Sequence, residues 1–195
     1  MKRWQNIILF VGIMSVLLLS ACGSQGIKNG YNWDLEEFTF TDHNNKEFSK
    51  SDLKGKVWLA DFVFTNCTTV CLPMTSNLAE FQTMLKENGI SNVEIVSFSV
   101  DPELDTPAAL KEYGQRFNAD LSSWHFLTGY TQQEIEEFAK KNFKTIVQKP
   151  ANNDQVIHGT KFYLINKEGQ IVKDYSGVSD VPFEEILNDI KILQK

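Results

Sequence analysis

The sequence lacks any basic stripe with interleaved aromatic residues. Phosphate backbones demand such a stripe, and 25 acidic against 19 basic residues give a formal charge of −6, so nucleic acid is excluded as a partner. An acidic surface is compatible with life outside the cytoplasmic membrane, though it names no partner. There is no internal repeat and no low-complexity stretch. The apolar run from Ile7 to Leu19 falls short of the roughly 20 residues that a transmembrane helix needs. At 195 residues, 42% hydrophobic and 12% aromatic, the chain can bury a real core, but a second full domain would not fit comfortably. Cysteine is sparse: Cys22, Cys67 and Cys71 are the full set.

What is present starts with an export signal: a basic opening at Lys2-Arg3, the short apolar run, then small residues before a cysteine. Leu19-Ser20-Ala21-Cys22 resembles the lipobox of bacterial lipoproteins, in which the cysteine is lipidated and becomes the mature N-terminus. A diacylglyceryl group carries two acyl chains, which is what separates stable anchoring from marginal binding. The expected organisation is a lipoprotein signal peptide over 1–21, a lipid-anchored flexible tether over 22–32 and one folded domain over 33–195. The expected location is the extracytoplasmic face of the cell membrane.

With Cys22 spent on lipid, Cys67 and Cys71 remain, four positions apart in an oxidising compartment. A disulfide closing so small a loop constrains the unfolded chain little, so a redox or metal-binding role is expected over a structural staple.

The apolar pattern sets these cysteines in a fold. Phe38 to Phe48 reads as an N-terminal hairpin around a turn cluster at Asp42 to Lys46. Lys56 to Phe64 is a nearly continuous apolar run and reads as a buried central strand. Pro73 to Lys86 places Leu78, Phe81, Met84 and Leu85 on one helical face, so the cysteines straddle a strand-to-helix junction. Val93 to Val100 is a second buried strand, and Thr106-Pro107 opens a helix carrying Leu110, Tyr113, Gly114 and Phe117. A short strand at Trp124 to Leu127 and a helix from Thr131 to Lys141 follow. Gly159 to Ile165 and Gln170 to Tyr175 form a hairpin, and a last helix runs from Phe183 to Leu193. Such alternation implies an α/β fold: a central mixed sheet flanked by helices, in a thioredoxin-like arrangement.

A cysteine at a helix N-terminus sits near unpaired backbone donors that favour the thiolate, which makes it a better nucleophile and a better metal ligand. His158 precedes the strand from Thr160 to Ile165, where this topology brings a loop beside the cysteine turn. Two thiolates and an imidazole suit copper in either of its common oxidation states. Zinc is the rival ion, but its structural sites usually take four protein ligands and the sequence offers three. His43 and His125 read as structural, and Met74 as packing.

Thr65-Asn66-Cys67-Thr68-Thr69-Val70-Cys71, the stretch Asp101-Pro102-Glu103-Leu104-Asp105-Thr106-Pro107, and Val156-Ile157-His158-Gly159-Thr160 together resemble the Sco/SenC family of copper-binding assembly factors. The resemblance spans almost the whole mature domain. It implies that Cys67, Cys71 and His158 bind one copper ion as Cu(I) or Cu(II), that the two cysteines can also form a redox disulfide, and that the protein serves the copper A centre of cytochrome c oxidase. The implied partners are the oxidase subunit bearing that centre and a thioredoxin-like reductant. The family often has proline directly after each cysteine; here Thr68 and Leu72 stand there and Pro73 comes one later. Asp101 matches the family motif as a residue that could orient the site, and Asp105 is expected to cap the next helix. The expected activity is metal binding and delivery rather than enzymatic turnover. A thiol-disulfide oxidoreductase acting on the oxidase cysteines or in redox signalling is the alternative, and a thiol peroxidase ranks third, because Ala60 and Phe64 stand where its signature has proline and threonine or serine.

Overall fold

The computed structural model describes residues 26–195. The expected signal peptide over 1–21 and the expected lipidation site Cys22 lie outside the described residues. In chain order the strands and helices are β1 (Trp33–Asp34), β2 (Thr39–Asp42), β3 (Glu47–Ser49), β4 (Val57–Val63), α1 (Cys71–Glu87), β5 (Val93–Ser99), α2 (Pro107–Arg116), β6 (Trp124–Thr128), α3 (Gln132–Phe138), β7 (Val147–Gln148), β8 (Ile157–His158), β9 (Lys161–Ile165), β10 (Gln170–Ser176) and α4 (Phe183–Gln194). An eight-stranded sheet runs β1-β10-β9-β4-β5-β6-β2-β3. Strands β4, β5 and β6 are parallel, and the flanking pairs are antiparallel.

Every residue of β4 and β5 is buried, as continuous apolar strands covered on both faces require. Trp58, Phe62, Phe98, Trp124 and Phe126 are all fully enclosed. The expected hairpin is β2 and β3, with Phe40 opposite Phe48 and Asn45 in the left-handed region at φ 59°. In α2, Thr106 caps the first turn by accepting from the Ala109 amide, and Pro107 sits where no donor is missed. Gly114 allows α2 to settle on the sheet: a Cβ there would lie 2.7 Å from the Phe126 ring.

Three features differ from the sequence reading. Residues 26–32 of the expected tether pack against the domain: Ile27 is 5% exposed and joins the apolar core, and the Tyr31 amide donates to the Val172 carbonyl of β10. The helix expected from Thr131 to Lys141 widens into a π turn over Ala139–Phe143 and ends at Lys144 in the left-handed region. The segment before β9 holds a separate two-stranded sheet of β7 and β8, pairing Val147 with His158.

Candidate metal centre

The carboxyl end of β4 leads into a turn, and the turn into α1. The helix starts at Cys71, not at Pro73 as the apolar face alone suggests. Pro73 therefore sits inside the first turn, where its missing N–H costs nothing. The residue before the helix, Val70, offers no side-chain cap. Instead the Cys71 amide donates to the Cys67 sulfur at 3.3 Å. The two cysteines thus meet as a turn sulfur over a helix N-terminus, at the strand-to-helix junction expected for them.

His158 arrives from β8. Its Nε2 lies 3.2 Å from Cys71 Sγ, and its ring stands edge-on to Phe64, with centroids 5.8 Å apart. Nδ1 lies 2.9 Å from the Gly159 carbonyl oxygen. Donation there leaves Nε2 with its lone pair toward the sulfurs, the tautomer a metal ligand needs. The sulfurs of Cys67 and Cys71 are unbridged, and the ligand atoms of Cys67, Cys71 and His158 all lie within 4.8 Å of one another.

The two thiols are not equivalent. Cys67 is pushed down to about 3, first by its interaction with Cys71 and further by the amides of Thr69 and Cys71, with burial opposing. Cys71, fully buried, is pushed up, first by serving as donor to Cys67 and then by burial. The environment thus favours the thiolate at Cys67 and the thiol at Cys71. Two thiolates beside a neutral imidazole form a soft donor set that fits a soft ion such as Cu(I).

Asp105 departs from its expected role. Thr106 does the capping, and the Asp105 carboxylate instead accepts from the Thr65 amide at 3.1 Å, from Thr65 Oγ1 at 2.6 Å and from Ser99 Oγ at 2.6 Å. It fastens the strand end that launches the cysteine turn. Asp101, fully buried, pairs through Oδ1 with Lys149 Nζ at 2.8 Å; its link to the centre runs through the chain that Lys149 shares with His158. The sequence reading missed Asp61. It is 1% exposed, takes a hydrogen bond from Ser97 Oγ at 2.5 Å, and burial pushes its carboxyl up to about 6. A lone acid inside the apolar run of β4 was the available signal.

His43 and His125 lie away from the centre, as expected. The Phe126 amide donates to His43 Nδ1 at 3.3 Å, and His125 Nε2 pairs with Glu94 at 3.2 Å. Met74 is fully buried packing.

A thioredoxin-like sheet with two cysteines at the first parallel strand's exit and a histidine facing them defines a thiol protein able to hold a soft metal. The comparisons give that class a family. The profile of the SCO1/SenC family matches residues 32–194, and the chain belongs to that family. It is 50% identical over 175 residues to a SCO1 protein homolog of Bacillus subtilis (strain 168), covering 90% of each chain. A SCO1/SenC family lipoprotein from Bacillus anthracis superposes with a TM-score of 0.84 at 52% identity, covering 87% of this chain and 100% of that one. BsSco, described as having a disulfide switch and as a member of the Sco family of cytochrome c oxidase assembly proteins, has a TM-score of 0.80 at 48% identity, covering 87% and 98%. Bradyrhizobium japonicum ScoI with copper bound has a TM-score of 0.68 at 26% identity, covering 82% and 99%.

Proposed function

We propose that this chain is a membrane-anchored copper-binding assembly factor that delivers copper to the copper A centre of cytochrome c oxidase. The observation that carries the reading is the convergence of Cys67, Cys71 and His158 within 4.8 Å. Copper is the cargo. Cys67 supplies a ready thiolate, Cys71 a second sulfur once its proton leaves, and His158 Nε2 a nitrogen already turned inward. Ligands on a turn, a helix N-terminus and a short strand, beyond the carboxyl end of β4, can surrender an ion to another protein by ligand exchange, which a closed four-ligand cage resists. Cys22 is the expected anchor, and no helix among the described residues is long and apolar enough to cross a membrane. The lipoprotein relative and the oxidase-assembly relative support the anchor and the target.

A second reading is favoured by the opposed thiols. Cys67 thiolate attacks one sulfur of a partner disulfide, forming a mixed disulfide and releasing the other partner sulfur as a thiolate; Cys71, passing its proton to that thiolate, then attacks the Cys67 sulfur, closes the Cys67–Cys71 disulfide and displaces the partner sulfur that Cys67 had bonded. The target leaves with both thiols reduced and ready for copper. The 3.3 Å amide-to-sulfur bond from Cys71 shows how close the two residues already stand.

Titration of the reduced protein with copper, followed by absorption and electron paramagnetic resonance, tests the first reading on wild type and on Cys67→Ser, Cys71→Ser and His158→Ala. One tight equivalent with thiolate-to-copper charge transfer, weakened by each substitution, is expected. Oxidation of the cysteines without a bound ion, unchanged in His158→Ala, would reject the metal reading in favour of the reductase.

A further inference from the structure

The segment between β7 and β8, residues 149–156, contributes no ligand, yet both of its ends are tied to the turns that follow the parallel strands β5 and β4. At its start Lys149 Nζ donates to Asp101 Oδ1 and Glu103 Oε2, each at 2.8 Å. At its far end the Gln155 side chain grips the backbone on both sides of Cys67. Its Nε2 donates to the Asn66 carbonyl at 3.0 Å, and its Oε1 accepts from the Thr68 amide and from Thr68 Oγ1, each at 3.2 Å. The Gln155 amide donates to Asn153 Oδ1 at 3.0 Å, which sets the bend from which the side chain reaches out. The chain then enters β8 and delivers His158.

We propose that Gln155 is a positioning residue of the metal centre: its amide clamps the Cys67 turn to the strand that carries His158, and so sets the spacing between thiolates and imidazole. The metal consequence rests on the copper reading above, whereas the clamp itself is a property of the metal-free protein. The arrangement is specific to glutamine. A primary amide presents a donor and an acceptor side by side, matching the Asn66 carbonyl and the Thr68 amide. Glutamate would keep the acceptor but turn a second oxygen toward the Asn66 carbonyl; asparagine is one methylene too short.

The other ties divide the labour. Asp105 holds the turn from below, through Thr65. Across the centre, from the cysteine turn to the histidine segment, Gln155 is joined by a longer contact, Asn66 Nδ2 to Asp154 Oδ2 at 3.3 Å, between exposed side chains. To hand its ion to another protein the centre must part along that line. Because Gln155 and its partners border solvent, water can take over each bond as it opens, so the clamp can hold the geometry without locking it.

The test uses the full chain as wild type, Gln155→Ala, Gln155→Glu and His158→Ala. In reduced, metal-free protein, amide exchange at Thr68 is expected to quicken about tenfold in Gln155→Ala, while the melting temperature stays close to wild type. With one equivalent of Cu(II), both Gln155 variants should bind about tenfold more weakly, and their paramagnetic resonance spectra should shift toward that of His158→Ala as the nitrogen contribution falls. Gln155→Glu separates the clamp from mere bulk, because it preserves the side chain's size and loses the donor. Unchanged Thr68 exchange, or copper spectra in both variants identical to wild type, would overturn the proposal. A wild-type protein without any thiolate-copper signal would reject the copper reading instead, and Thr68 exchange would still decide the clamp.

Discussion

The parallel strands β4, β5 and β6 and the turns at their carboxyl ends are built on opposite principles. In the strands, burial does everything: β4 and β5 expose no residue, and their aromatic side chains pack on both faces of the sheet. In the turns, polar side chains take over. Asp105 fastens Thr65, Gln155 brackets Cys67, and Lys149 joins the histidine segment to Asp101. Substitutions in the first region should therefore cost stability and leave the ligand chemistry intact in whatever protein remains folded. Substitutions in the second should do the reverse.

Phe98→Ala attacks the first region at its centre. The ring is fully buried and packs against Phe38, Phe62 and Phe143. A loss of about 3–5 kcal/mol is expected in denaturant unfolding, from lost transfer energy and the cavity left behind. Copper stoichiometry should be unchanged in the folded fraction.

Asp105→Ala tests the boundary between the two regions. It removes the acceptor for the Thr65 amide and hydroxyl and for the buried Ser99 hydroxyl at the end of β5, and should cost about 2–3 kcal/mol while also weakening copper binding. An effect on stability with none on copper would place Asp105 wholly with the core.

Asp61 is a polar intruder in the first region, and pH reveals it. Its carboxyl, pushed by burial up to about 6 from the ordinary 3.8, still holds a proton in the folded protein between those limits after the unfolded chain has lost it. Stability should fall as pH rises through that window and stay lowered above it. Asp61→Asn keeps an acceptor for Ser97 but has no proton to lose. At pH 7 it should be more stable than wild type by about 1–3 kcal/mol, and the gain should vanish below about pH 4, as read by melting curves across pH.

His158→Ala is the converse of Phe98→Ala. The half-buried ring should cost about 1 kcal/mol or less in unfolding, while the copper spectrum loses its nitrogen signature. The smallest effect belongs to neither region: Lys86 pairs with Asp120 at 2.7 Å on the exposed side of α1, and Lys86→Met should alter stability by no more than about 0.5 kcal/mol.

The same division governs what the amino-acid sequence discloses. Strands β4 and β5 and helix α1 are legible because burial imposes apolar runs on Trp58 to Val63 and Val93 to Ser99 and a helical period on the Leu78–Phe81–Leu85 face. Cys67, Cys71 and His158 are legible as residue types with their own chemistry. The roles of Asp105 and Gln155 are not, because each is a relation between turns far apart in the chain: Asp105 to Thr65 and Gln155 to Thr68. Nor is the pairing of β7 with β8, whose two-residue strands are too short to carry a pattern. The start of α1 at Cys71 was hidden for a similar reason: a sulfur from the preceding turn meets its first amide where a hydroxyl or carboxylate would ordinarily announce a helix.

The account's central claim is that the turns bring two sulfurs and one nitrogen to a single ion. X-ray absorption at the copper edge, on the reduced protein loaded with one equivalent of Cu(I), tests it most directly. A first shell of two sulfurs and one imidazole nitrogen, losing the nitrogen in His158→Ala and one sulfur in Cys67→Ser, is the predicted result. A shell of oxygen or nitrogen alone, or one that both substitutions leave unchanged, would contradict it.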